Sequence, residues 1–231
     1  MITPWSTIKM KKIFTLSIIA LTIFYSNTNA QTRPGIRVGI TQSTWHGDAM
    51  NSLNDVIGFT NGYVTTKGRT GFYAGGFVNM PLTERISIEP GAYYSQKGYT
   101  LKGKLPIDKL EFLGASATAA VQSHYIDIPV LVKMNVAKGF DIYAGPQVSY
   151  LVKNNLHMEA GALGFSVLNK NMDITDNFNR VDWGVTAGAG YTFDNGFSIN
   201  AGYDVGLSRL DKNSNFKSYN RAIKLGVGFR F

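Results

Sequence analysis

From Val181 the chain alternates apolar and small or polar residues without a break. Val181, Trp183, Val185, Ala187, Ala189, Tyr191 and Phe193 fall on one parity; Asp182, Gly184, Thr186, Gly188, Gly190 and Thr192 fall on the other. A period of two over this length predicts a strand with one apolar face. After Asp194-Asn195-Gly196 the alternation resumes, with Phe197, Ile199, Ala201, Tyr203, Val205 and Leu207 against Ser198, Asn200, Gly202, Asp204, Gly206 and Ser208. Parity selects the turn. A two-residue Asn-Gly loop would set Phe193 opposite Ser198, whereas a three-residue loop pairs Phe193 with Phe197 and places Gly196 at the left-handed position. The non-apolar face is small and weakly charged. That suits a narrow barrel interior better than a solvent face, and it directs the bulky face at lipid.

The same alternation recurs along the chain. Strand one is expected at Gly35–Thr44, with Ile36, Val38 and Ile40 outward and Arg37, Gly39 and Thr41 inward. Strand two, Thr70–Met80, turns Phe72, Ala74, Val78 and Met80 out and Tyr73, Gly75, Phe77 and Asn79 in. Strand three starts near Ile86, with Ile88, Pro90, Ala92 and Tyr94 outward and Glu89, Gly91, Tyr93 and Ser95 inward. Strand four, Tyr125–Val136, carries an outward row from Ile126 to Val136 over Tyr125, Asp127, Pro129, Leu131 and Lys133, with a kink expected at Pro129. Strand five follows a three-residue turn, Ala137-Lys138-Gly139, that pairs Val136 with Phe140; Asp141, Tyr143, Gly145, Gln147 and Ser149 face in. Strand eight is Ala222–Phe231, with Lys224, Gly226, Gly228 and Arg230 inward.

Loops are expected at His46–Arg69, Gly98–Ser123, Asn154–Asn179 and Arg209–Asn220, with a short helix considered over Asp108–Val121. Connections thus alternate long and short around eight strands, with both termini on the short-turn side. This is the signature of an all-β, eight-stranded antiparallel up-and-down transmembrane barrel, inserted from the periplasm into the outer membrane. Closure removes the edges that an open sheet would expose.

The beginning of the chain agrees with export. Lys9, Lys11 and Lys12 precede the apolar run Ile13–Tyr25 and a Thr28-Asn29-Ala30 cleavage motif. Residues 1–30 therefore read as a signal peptide, with Met10 a natural alternative start, and residues 31–231 as the barrel domain. There is no cysteine, so neither a disulfide framework nor a lipoprotein anchor is available. The formal charge is +8, and three of those positive charges lie in the leader. The remaining basic residues are dispersed with no aromatic-interleaved basic run, which argues against nucleic acid and for anionic lipid head groups.

Three segments carry a family resemblance: Tyr125-Ile-Asp-Ile-Pro-Val-Leu-Val-Lys133, the Ala-Gly-Pro of Ala144–Pro146, and the closing Leu-Gly-Val-Gly-Phe-Arg-Phe231. They resemble the PorT-like family of small outer-membrane β-barrels, over nearly the whole mature chain. The resemblance implies fold and location, and a terminal strand ending in Phe231 similar to the signal read by the barrel assembly machinery. The name-giving member is linked to secretion of cargo across the outer membrane, so the resemblance also implies a possible accessory role in such a system, with other envelope proteins as partners.

Candidate chemistry is sparse. Arg37, Glu89, Asp127, Lys133, Asp141, Asp182, Asp204, Lys224 and Arg230 are expected inside the barrel. Near-balanced charges in a lumen filled by side chains point to paired ions, with an ion path or binding cavity as the alternative. His46, His124 and His157, with Ser43 and Asp48, are the residue types of a metal or hydrolase site, but each histidine is alone in its segment. Gly188-x-Gly190 and Gly226-x-Gly228 lack the following helix of a nucleotide site and read as close packing. Trp183, Tyr94 and Tyr150, and separately Phe140, Tyr191, Phe193, Phe197 and Phe231, suit two interfacial aromatic girdles. No catalytic, cofactor or metal residue is assigned. The expected function is non-enzymatic: an envelope structural element or a platform for loop contacts. A secretion accessory, a small membrane enzyme and a soluble lipocalin-like carrier are the alternatives.

Overall fold

The computed structural model describes residues 32–47, 64–104, 116–162, 165–212 and 217–231. The expected leader and Asp48 lie outside these. The described chain forms β1 (Arg33–His46), β2 (Val64–Pro81), β3 (Ile86–Lys104), β4 (Ser116–Ala137), β5 (Phe140–Ala162), β6 (Phe165–Asp173), β7 (Val181–Thr192), β8 (Phe197–Gly206) and β9 (Tyr219–Arg230). Every pairing is antiparallel, in the order β4-β3-β2-β1-β9-β8-β7-β5, and β4 pairs back with β5 to close an eight-membered ring. The ninth strand, β6, lies outside the ring and pairs only with the Asn155–Ala162 end of β5.

The faces are those the alternation predicts. Outward side chains stay open, for example Ile40 at 56%, Val132 at 53% and Trp183 at 59% exposure, while Glu89 and Asp127 inside are at 1% and 0%. A soluble protein with this inversion would leave a continuous apolar belt in water; hydrocarbon is the solvent that accepts it. Packing inside is close. Tyr73, Phe77 and Tyr93 form a buried cluster, and a Cβ at Gly226 would run into the Tyr73 hydroxyl and the Val38 carbonyl. Glycine is therefore what lets the Tyr73 ring cross the lumen.

Turn chemistry follows parity at one end and departs from it at another. Gly196 sits at φ 88°, and Phe193 N–H donates to the Phe197 carbonyl at 2.8 Å, as the three-residue loop requires. At the β4–β5 turn Phe140 pairs with Ala137 instead of Val136. The register shifts between Asn135 and Ala137, and Gly139 takes φ 75°. The bulge absorbs the extra residue, so Asn135 still faces Asp141 and the inward row is kept.

Two expectations are corrected. The loops at Gly98–Ser123 and Asn154–Asn179 are in large part strand, and the end of the loop expected at His46–Arg69 is strand from Val64. β3 runs to Lys104, β4 starts at Ser116, and β5 and β6 form a hairpin through Asp173. Alternation is present here but short, with Leu156, Met158 and Ala160 on β5 and Ala117, Ala119 and Val121 on β4 set among glycine and polar residues, so the strands become evident once they pair with their neighbours. The helix considered over Asp108–Val121 is strand from Ser116, and its earlier part lies outside the described residues. β4 shifts register against β5 at His124/Tyr125. Pro129, with no N–H to give, falls where the β3–β4 ladder is interrupted between Asp127 and Val130.

Candidate functional site: the barrel lumen and its two mouths

Each inward charge is placed by one strand, and the ring brings them together across the lumen. In the half nearer the short turns, Arg37 Nη2 lies 2.8 Å from Glu89 Oε1. Lys133 Nζ lies 3.2 Å from Glu89 Oε2 and 3.6 Å from Asp141. The Arg37 guanidinium also stands 4.6 Å over the Phe77 ring and donates to the Tyr93 hydroxyl at 3.1 Å. In the half nearer the long connections, Asp127 is the centre. Its carboxylate takes Lys97 Nζ at 2.9 Å, Lys224 Nζ at 3.1 Å and the Ser149 hydroxyl at 2.6 Å. Lys224 reaches Asp204 as well.

Two belts of ion pairs therefore span the interior, with Tyr73, Tyr93 and Leu131 between them. Cavities there measure about 40 Å³, beside Arg37, Tyr143 and Lys224, and about 10 Å³, beside Asp182 and Asp204. Such spaces hold a water molecule or two, not a hydrated ion path. Toward the long connections Leu151 and Leu210 are buried and Trp45 stacks on Tyr99 at 5.7 Å.

Two inward charges stand apart from the belts. Asp182 is buried, forms no ion pair among the described residues, and accepts from Asn220 Nδ2 at 3.0 Å. Arg230 lines a cavity of about 190 Å³ at the short-turn mouth with Arg33, Arg85, Glu84, Lys133 and Asp141. One member of the upper belt escaped the sequence reading: Lys97, 2% exposed. Continuing the inward parity from Ser95 would have found it.

The histidines do not converge. His46 ends β1 opposite Tyr219. His124 bonds the Tyr94 hydroxyl on the outer wall. His157 sits on the β5–β6 hairpin, 2.7 Å from Glu159 and 3.3 Å from Asn171. Its hydrogen bond to Glu159 holds the His157 pKa above the usual imidazole value. Ser43 is turned inward and accepts from Gly98 N–H at 2.8 Å, so it stands in no relation to a histidine. Among the described residues there is no cluster of three metal-ligating side chains.

The comparison with known families now has a geometry to meet. Residues 26–212 match the outer membrane protein beta-barrel domain family. The chain belongs to that family. It is an integral outer-membrane β-barrel protein. None of the curated proteins matches it. Among solved structures it is similar to Ail, the attachment invasion locus protein of Yersinia pestis, at 15% identity and TM-score 0.44, covering 86% of this chain and 98% of that one. Neisserial surface protein A is similar at 10% identity and TM-score 0.43, over 86% and 97% of the two chains. OprG of Pseudomonas aeruginosa is similar at 11% identity and TM-score 0.40, over 87% and 97%. The outer-membrane barrel's aromatic residues fall into two groups. Phe193 lies 4.9 Å from Tyr191 and 5.8 Å from Phe197 at the short-turn end, while Trp183 and Tyr150 stand exposed at the other.

Proposed function

We propose that this barrel is a non-enzymatic envelope protein that works through its outer strands and loops. One observation carries the reading: the strands on one side of the ring far outrun the membrane. About ten tilted residues cross the hydrocarbon, yet β4 has 22 and β5 has 23. With β6 they raise a polar sheet beyond the bilayer, on a base whose lumen is filled by ion pairs and tyrosines. A filled lumen supports a contact role over conduction. The separated histidines give no basis for assigning catalysis.

Photo-crosslinking amino acids at Leu168 and Lys170, on the exposed outer hairpin, and at Thr83, in a short turn, test this in native membranes. Capture of a defined partner from the outer positions supports the reading. Capture only from Thr83 refutes it and favours the PorT-like alternative, an accessory subunit engaged from the periplasm. The expected processing belongs to the same proposal: residues 1–30 are removed, and the intact mass of the purified protein places its N-terminus at Gln31. The terminal strand ending in Phe231 is the segment offered to the assembly machinery, so deleting Phe231 slows insertion.

A further inference from the structure

On each strand the outward apolar row ends at one position, and the polar residue just beyond it sits at the head-group level. On β1, β2, β3 and β4 these residues are Gln42, Thr70, Gln96 and His124, beyond Ile40, Phe72, Tyr94 and Ile126. On the other half of the ring a cationic residue stands within two positions of the end of the row on every strand. Lys153 follows Val152 on β5, and Arg180 precedes Val181 on β7. Arg209 lies two residues past Leu207 after β8, and Arg221 lies two before Ile223 on β9.

These four strands are consecutive neighbours in the ring, so the four cations form one arc at the outer edge of the apolar belt. Lys153 and Arg209 are exposed, and Arg180 and Arg221 half-exposed. The Arg180 guanidinium bonds the Val152 carbonyl at 3.3 Å, which fixes it beside Lys153, and pairs with the exposed Asp176 at 3.1 Å. Trp183 and Tyr150, both exposed, stand directly beneath the arc.

We infer that the β5–β9 arc is a binding site for the phosphate groups of an outer-leaflet glycolipid. The charge calls for an anion. The position calls for one that is anchored, because the arc starts where the lipid-facing belt stops and its lower edge is Trp183, Tyr150 and Leu207. Arginine and lysine on adjacent strands present several donors at the spacing of one strand, enough to hold two phosphates of a single head group. Acyl chains of the same molecule would then lie along Val185 and Val205. On β1 to β4 the cation nearest the rim is Arg69, half-buried and donating to Gln122 Oε1 at 3.0 Å, so the lipid is held on the β5–β9 side. The inference is independent of whether the outer hairpin contacts a protein.

The test uses the mature protein in detergent micelles and native mass spectrometry, with bisphosphorylated lipid A and the same lipid dephosphorylated as probes. The phosphorylated form is expected to bind at least tenfold more tightly. K153Q/R209Q/R221Q should lose that preference, while R85Q/K138Q, at the opposite mouth, keeps it. If the triple variant does not fold, as read by heat-dependent gel mobility, Lys153→Gln alone takes its place and should weaken binding severalfold. Equal binding of the two lipids, or a variant that binds like the parent, overturns the inference. So does a soluble sulfated polysaccharide that competes at equal affinity, since the arc would then be a site for soluble polyanions.

Discussion

Asp127→Asn tests the filled lumen most directly. The substitution keeps the volume of a side chain that is fully buried and removes only its charge. Asp127 holds two ammonium groups, Lys97 at 2.9 Å and Lys224 at 3.1 Å. Lys224 keeps a second carboxylate, Asp204. Lys97 does not: what remains to it among the described residues is the Ser149 hydroxyl at 3.4 Å and the Tyr125 ring at 5.0 Å. Asp182 lines the same small cavity as Lys97 but forms no ion pair with it, so the cation is left buried without a contacting carboxylate, and breaking a buried pair on one side costs about 3–5 kcal/mol. Removing the orphaned cation as well, in Lys97→Met/Asp127→Asn, should recover most of that loss, because an apolar chain of similar length needs no partner. The assay is equilibrium urea unfolding of the mature protein in lipid vesicles, followed by tryptophan emission and gel mobility. A single-variant loss below about 1 kcal/mol with no recovery in the double variant would refute the reasoning, because it would mean that water already screens the belt.

Three further outcomes are expected. Val130→Arg, on the outward row of β4, should cost about 2–4 kcal/mol in the same assay, whereas Leu82→Arg in a short turn stays within about 0.5 kcal/mol; equal effects would remove the lipid from the outer face. Gly226→Ala should lose about 1–3 kcal/mol by overpacking against Tyr73, and Tyr73→Phe in that background should return part of it by deleting the hydroxyl that clashes. On the outer hairpin, the His157 resonances should titrate above the ordinary histidine value and return toward it in Glu159→Gln. Because the folded value is raised, whatever this contact adds to the hairpin is present below the unfolded value and is lost as pH rises through the folded one.

The interior shows how far a local pattern reaches. Tyr125 to Val136 reveals which side chains share a face, because alternation is a property of the extended backbone itself. It also separates Asp127 from Ile126 and Ile128 without reference to any other strand. It cannot show that Asp127 meets Lys97 thirty residues before it and Lys224 ninety-seven after it. Those encounters require the ring to close with a particular register. The extended outer halves of β3, β4 and β5 were hidden for a related reason: their apolar rows are short and rich in alanine, so hydrogen bonding to a neighbouring strand is what distinguishes them from loop.

What the sequence alone determined was the direction of each side chain, the strand count of the ring, and the alternation of short and long connections. These rest on period-two geometry and turn parity, which are local. Tertiary structure decided which charges pair, that Leu151 and Leu210 are buried, and that four cations scattered between Lys153 and Arg221 belong to neighbouring strands at one rim. Those are contacts between distant residues, and they exist only once strand order, register and closure are fixed.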